Sequence, residues 1–240
     1  MQPVYLLGLG LPHSAECAGY SPSSNPILQK ADVLVGGRAQ LAPFADHRAE
    51  KLIVTSEVET LYRRMESLRS EGKLLVALCS GDPMFFGLGA RLAERFGPEN
   101  LRLLPALSSM QAAASYLCLP WENMRPVSLH GRKSMLPLAH ALMEHSHVFL
   151  LCDGETSPPG IAAWMLERGC SSHIMHLLDD LCLGPDGSVA PAAHTKLRLE
   201  EAAALVHTPH KGQRVIVLQA PDTQPGRKNK RPPSPAKPFG

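Results

Sequence analysis

Leu74-Leu75-Val76-Ala77-Leu78-Cys79, running into Ser80-Gly81-Asp82-Pro83, is the stretch on which the fold turns. Six apolar residues in a row are strand-sized, and a strand without polar alternation is one buried on both faces. Such strands sit in sheets with helices packed on either side. The glycine and proline that follow stop the strand and turn the chain.

Working outward, Glu57–Glu71 predicts a helix: Val58, Leu61, Tyr62, Met65 and Leu68 fall on one face, and Gly72 ends it. Downstream, a helix over Gly87–Phe96 and a strand at Leu101–Leu104 follow. Towards the start, Val4–Leu7, Val33–Val35 and Lys51–Val54 read as strands, the second stopped by Gly36-Gly37. Asn25-Pro26 reads as a helix start, with asparagine as the cap and proline at the first helical position.

Beyond residue 105 the alternation repeats. A helix is expected over Ser109–Leu117, then strands at Val127–Leu129, His147–Leu151, His173–Leu178 and Arg214–Gln219. Helices fall between them near Leu136–Glu144, Gly160–Glu167 and Leu199–Val206. The pattern is that of an α/β protein with two lobes, residues 1–105 and 106–221. Residues 222–240 turn to Pro, Lys, Arg, Gly and Ser and are expected to be a disordered basic tail.

Composition sets the outer bounds. With 44% hydrophobic and 19% charged residues, the 240-residue chain has enough apolar material for a real core. No apolar run approaches the ~20 residues of a membrane helix, and the start, Met1-Gln2-Pro3, lacks a basic leader segment. The six cysteines form no C-x-x-C pair and several lie within apolar runs, which predicts reduced buried thiols and a cytoplasmic protein. The formal charge of +2 belongs to the tail: residues 223–240 hold Arg227, Lys228, Lys230, Arg231 and Lys237. Without them 19 basic residues face 22 acidic ones. No basic face for nucleic acid is therefore expected on the folded part.

In α/β sheets, ligands bind beyond the carboxyl ends of strands, so three strand-end loops stand out. Gly8-Leu9-Gly10-Leu11-Pro12 is a tight turn that lets backbone approach a ligand. It is not a dinucleotide fingerprint, because His13 stands where the third glycine belongs and no acidic residue ends the second strand. In the second loop Asp82 either accepts a hydrogen bond from a ligand or caps the helix that follows. In the third, Pro105-Ala106-Leu107-Ser108-Ser109, two hydroxyls open a helix where capping needs only one.

Together, in this order and spacing, the three loops resemble those of the tetrapyrrole (corrin/porphyrin) methylases, over about residues 3–220. Four further stretches resemble the branch that methylates C5 of the corrin ring in cobalamin synthesis, on a cobalt-precorrin-7 or precorrin-6Y type intermediate. They are Asp32-Val33-Leu34-Val35-Gly36-Gly37-Arg38, Leu119-Pro120-Trp121-Glu122, Ser128-Leu129-His130-Gly131-Arg132 and Asp153-Gly154-Glu155-Thr156-Ser157-Pro158. Two positions depart from the family: Ala106 replaces a glycine, and Leu11-Pro12 replaces proline-glycine. Ala106 requires its backbone to avoid left-handed geometry.

The resemblance implies S-adenosylmethionine bound in a cleft between two α/β lobes. It assigns Gly10, Leu11, Gly81, Asp82, Phe85, Ser108 and Ser109 to the cofactor, with Leu151, Cys152 and the Asp180-Leu181 segment on the adenine side. Arg132 and Lys133, then Arg38, are candidates for substrate carboxylates, and His130 for proton transfer or a substrate hydrogen bond. A homodimer is implied. So is a separate C15-methylating decarboxylase, since related chains fuse that second activity and this chain is expected to end before it. Siblings acting at another ring carbon or on a diphthamide precursor, and a non-catalytic tetrapyrrole carrier, are the competing readings.

No catalytic triad is visible, and displacement at an activated methyl needs none. Eleven histidines invite a metal, but His145/His147 and His173/His176 lack the i, i+4 helical spacing and a third ligand. No protein-bound metal is expected.

Overall fold

The computed structural model describes residues 1–12, 25–129, 134–152, 157–208, 210 and 212–221. The decisive stretch forms β4 (Leu75–Ser80), one residue later than its sequence bounds. Beside it lies β1 (Val4–Leu9), and the first sheet continues through β2 (Val33–Gly36), β3 (Glu50–Ile53) and β5 (Leu101–Leu104). The order is β3-β2-β4-β1-β5, and every pairing is parallel. β1 is thus flanked by β4, with Gly8 opposite Cys79, and by β5, with Leu7 opposite Leu104.

Strand periodicity sorts this sheet's apolar residues to two faces. Leu6, Val35, Leu75 and Ala77 meet α3 (Val58–Ser70) and α4 (Gly89–Phe96) through Leu61, Met65, Leu68 and Leu92. Leu7, Leu34, Val76 and Leu78 meet Leu28 of α1 (Asn25–Lys30) and Leu41 of α2 (Arg38–Leu41) on the other. Both faces are covered, which is why the strands read as unbroken apolar runs. Gly72, at φ +80°, ends α3, its amide reaching Arg69 O at 3.1 Å.

The second sheet is built differently. Its order is β6-β7-β10-β8-β9, from β6 (Met124–Ser128), β7 (His147–Leu151), β10 (Arg214–Gln219), β8 (Ile174–Leu183) and β9 (Val189–Arg198). Only β6 and β7 run parallel; the other three pairings are antiparallel. α6 (Leu136–Glu144), α7 (Pro158–Leu166) and α8 (Leu199–Ala203) cover one face through Leu138, Ile161, Met165 and Leu199. The other face is covered by α5 (Ser109–Tyr116), whose Ala112, Ala113 and Ala114 bring it close to Phe149, Leu178 and Val217.

Three features depart from the sequence reading. β9 was not foreseen: it is a solvent-facing edge strand containing Pro191, so it carries no apolar alternation. Its hairpin turn was legible in Gly184-Pro185-Asp186-Gly187-Ser188, where Asp186 Oδ1 accepts from Ser188 N at 3.0 Å and Gly187 takes φ +81°. The strand expected at His173–Leu178 runs on to Leu183 as β8, so the Asp180-Leu181 segment lies within it. The helix expected from Gly87 starts at Gly89, because the preceding residues are occupied in a turn that closes with Gly89 N on Pro83 O at 3.0 Å. Residues 222–240, expected to be disordered, lie outside the described residues, as does the tail's role.

On the α5 side, β8 and β9 stack His176 on His194, with ring centroids 5.3 Å apart. His176 Nδ1 meets His194 Nε2 at 3.0 Å, while Gln219 Oε1 stands 3.0 Å from His176 Nε2. Tyr116 OH reaches His194 Nδ1 at 3.3 Å. Burial lowers the pKa of both histidines below the usual 6.5; Gln219 partly opposes this at His176, and nearby Lys196 adds to it at both. A histidine held neutral in the fold binds fewer protons than in the unfolded chain, so stability is complete above 6.5 and falls as pH drops below it. The melting temperature should therefore fall between pH 7.5 and pH 5.5. It should fall less steeply in His176→Asn, and equal slopes in both proteins would contradict this account.

Candidate functional site

The site begins with an atom that is missing. A Cβ on Gly8 would run into Gly81 O and stand 2.7 Å from Ala106 N, so all three strand-end loops meet at this one bare Cα. Gly81 N donates to Leu9 O at 2.7 Å, which fastens the second loop to the first. Gly81 itself takes φ +65°, and a Cβ there would lie 2.9 Å from Ser108 Cα. Only glycine allows both approaches. Ala106 is not among the positive-φ residues, so its methyl group is accommodated as the sequence required.

The two serines divide their work. Ser108 is buried and closes a capping box on α5: its Oγ accepts from Gln111 N at 3.2 Å, and Gln111 Oε1 accepts from Ser108 N at 3.0 Å. Ser109 faces a cleft of about 780 Å³, and its hydroxyl has no hydrogen-bond partner among the described residues. The surplus hydroxyl noted in the sequence is the one turned to the cleft.

Gly10, Leu11, Gly81, Phe85, Ser109 and Leu151 all line this cleft. Leu11 and Phe85 also pack into the core beneath α5, so two loops of the first lobe are pegged into the second. Asp82, Ser108, Cys152 and Leu181 do not line it. The capping reading of Asp82 does not hold: α4 starts from Leu88 with no side-chain cap, and Asp82 Oδ1 instead accepts from Met84 N at 2.8 Å, holding the turn that presents Phe85. Arg38 is exposed on α2 and does not line the cleft, although its neighbours Gly37 and Ala39 do. His130, Arg132 and Lys133 lie outside the described residues.

Sequence reasoning missed Gln40, Ser80 and Gln213. Gln40 Nε2 donates to Ser80 Oγ at 2.9 Å on one wall. Gln213 stands on the other, its backbone clamped by Asp180, which accepts from Gln213 N at 2.7 Å and donates its own amide to Gln213 O at 2.8 Å. Asp180 holds this pose at φ +48°, with Arg214 and Asp179 paired beside it at 2.6 and 2.7 Å. The Asp180 segment thus bears on the cleft by fixing Gln213.

Among the described residues, no lining side chain carries a formal charge. Burial pushes the Cys79 thiol on the cleft floor up to about 11, so it stays protonated and is no nucleophile near neutral pH. The cleft can hold and orient a ligand by backbone groups, amides and hydroxyls; its described residues offer no general acid or base. No set of three His, Cys, Asp or Glu side chains among the described residues is arranged for a metal ion. No helix among them is long and apolar enough to cross a membrane.

A family model described as tetrapyrrole (corrin/porphyrin) methylases matches residues 20–178. The chain belongs to that family. It is, accordingly, an S-adenosylmethionine-dependent methyltransferase. A cobalt-precorrin-7 C(5)-methyltransferase from Salmonella typhimurium is 29% identical over 163 residues, covering 68% of this chain and 79% of the relative. A precorrin-6Y C(5,15)-methyltransferase [decarboxylating] from Sinorhizobium sp is 30% identical over 196 residues, covering 79% and 44%. A uroporphyrin-III C-methyl transferase from Thermus thermophilus, solved with S-adenosyl homocysteine, shares the fold. Its TM-score is 0.65 at 20% identity, over 90% of this chain and 97% of that one.

Two substitutions at adjacent serines separate folding from binding. Ser108→Ala should lower stability by about 1 kcal/mol through loss of the cap, measured by urea unfolding. Ser109→Ala should leave the unfolding midpoint unchanged and weaken S-adenosylhomocysteine binding by calorimetry; reversal of the two effects would contradict the assignment. Gly8→Ala should cost about 1–3 kcal/mol, because the obstacles are backbone atoms that cannot step aside. A midpoint unchanged from the parent would show that the loops do not need this contact.

Proposed function

We propose that the cleft binds S-adenosylmethionine and that the protein methylates C5 of a corrin-type tetrapyrrole, a cobalt-precorrin-7 or precorrin-6Y type intermediate of cobalamin biosynthesis. The observation that carries this reading is the convergence of three strand-end loops on an uncharged cleft with one unused hydroxyl. Its volume suits a nucleoside-sized ligand, within the roughly 300–1,000 Å³ of small-molecule sites. The curated relatives named for the C5 position support the choice of ring carbon.

In this reading Gly10, Leu11, Gly81, Phe85, Ser109 and Leu151 line the donor site directly. Asp82 and Ser108 act through the loops they brace, and Cys152 and Leu181 stand behind the wall. The sulfonium donor supplies an activated methyl group: a carbon–carbon bond forms, a carbon–sulfur bond breaks, and a neutral thioether leaves. The protein's task is to hold the two carbons in line and exclude water, an effect worth up to ~7–11 kcal/mol in well-oriented systems. A cleft whose described lining carries no charged side chain suits that task. Arg132 and Lys133 remain the proposed carboxylate contacts and His130 the proposed proton-transfer residue.

The family resemblance extends the proposal to a cytoplasmic homodimer. The C(5,15) and decarboxylating name of the Sinorhizobium relative supports a C15-methylating decarboxylase as a partner activity.

Incubation with labelled methyl donor and defined precorrin substrates tests the proposal by mass spectrometry and NMR. A single added methyl at C5 is expected. Transfer to another ring carbon would make the protein a sibling methylase, and no transfer despite tetrapyrrole binding would make it a carrier.

A further inference from the structure

A second cavity, of about 420 Å³, opens beside the first, and Phe86 lines both. Its other walls are the edge strand β6, through Arg125 and Ser128, and one face of α6, through Leu136, His140 and Glu144. Those three helical residues stand one turn apart and share a stripe.

Three observations mark this cavity as built for a ligand. Phe86 is a non-glycine residue at φ +51°, a costly backbone state that turns its ring outward: the side chain is 54% exposed while stacked edge-on to Phe85 at 4.9 Å. Leu136, also in the lining, is 66% exposed, so the cavity carries two large apolar residues open to solvent. Arg125 is exposed and has no ion pair or hydrogen bond among the described residues. An apolar ledge beside an unpaired guanidinium fits a flat apolar ring with carboxylates on its rim.

We propose that this cavity is a subsite for one carboxylate arm of a polycarboxylate macrocyclic substrate, with Arg125 binding the carboxylate and Phe86 joining the subsite to the donor cleft. The choice of macrocycle rests on the methyl-transfer reading. His140, near the middle of the stripe, presents a second polar group to the arm. Glu144, at its far end, is 75% exposed and 3.9 Å from His145. It disfavours a carboxylate there and so gives the arm a direction. The arm fixes the rotation of the ring in its plane, and hence which carbon faces the donor.

Uroporphyrin III, a porphyrin with carboxylates around its rim, serves as the probe, titrated by fluorescence against the full chain with S-adenosylhomocysteine present. Arg125→Ala should weaken binding of the free acid roughly 10-fold or more, as for loss of a charge-assisted hydrogen bond. Arg125→Lys should restore part of the loss, and Glu144→Gln should bind at least as tightly as the parent. The methyl ester should bind all four proteins alike, and S-adenosylhomocysteine affinity and the unfolding midpoint should not move. Equal affinity of Arg125→Ala and parent for the free acid, or no binding by the parent, overturns the subsite. Should Arg125 prove necessary for binding while the parent methylates no tetrapyrrole, the methyl-transfer reading fails and the subsite stands.

Discussion

Gly8 sits in β1, an interior strand of the first sheet, with nothing beyond its Cα, and the backbone of two other loops fills the space a side chain would take. Parallel strands end on the same side of a sheet, so the loops after β1, β4 and β5 emerge together. The parallel sheet brings them near one another, and the glycine lets them touch. Contact between loops makes a continuous floor for the cleft from Gly8, Gly81 and Ala106, which are far apart in the chain.

From this floor the two lobes become one site. Leu11 and Phe85 leave the first-lobe loops and enter the core between α5 and the second sheet, which anchors the loop tips against rigid structure. The second lobe answers with Leu151 and with Gln213, whose backbone is held by Asp180. Among the described residues, the cleft offers a ligand fixed backbone and amide dipoles rather than charge, and such dipoles cost little reorganisation when a ligand arrives. Charge appears outside it, at Arg125 in the neighbouring cavity, where an acidic macrocycle would present its rim.

The sequence made the first lobe largely legible because its strands are buried on both faces and its helices are amphipathic; each departure from that pattern was harder to read. β9 was invisible because an edge strand has no buried face to impose alternation, although the glycine-proline-aspartate turn before it pointed to a hairpin. Ser108 and Ser109 were legible as a pair with one hydroxyl too many, and the capping box explains which is spare. Asp82 was visible as special, but a side chain that braces its own turn looks in sequence like one that caps a helix. Gln213 and Gln40 gave no local signal at all: their place in the cleft depends on strand order, which no short pattern encodes. The stacking of His176 on His194 was hidden for the same reason, because the partner lay in the strand that was not foreseen.

The order of the first sheet also bears on how the chain is made. β1 leaves the ribosome well before its neighbours, β4 and β5, which are complete only after residue 80 and residue 104 have followed. An apolar segment that must wait so long for long-range partners is exposed to aggregation and slows folding. The second sheet has a local start in the β8–β9 hairpin, whose turn closes over a few residues. Synthesis therefore runs from the half that needs the whole lobe before it can settle to the half that can nucleate on its own, and the nascent first lobe is where a chaperone would have most to shield.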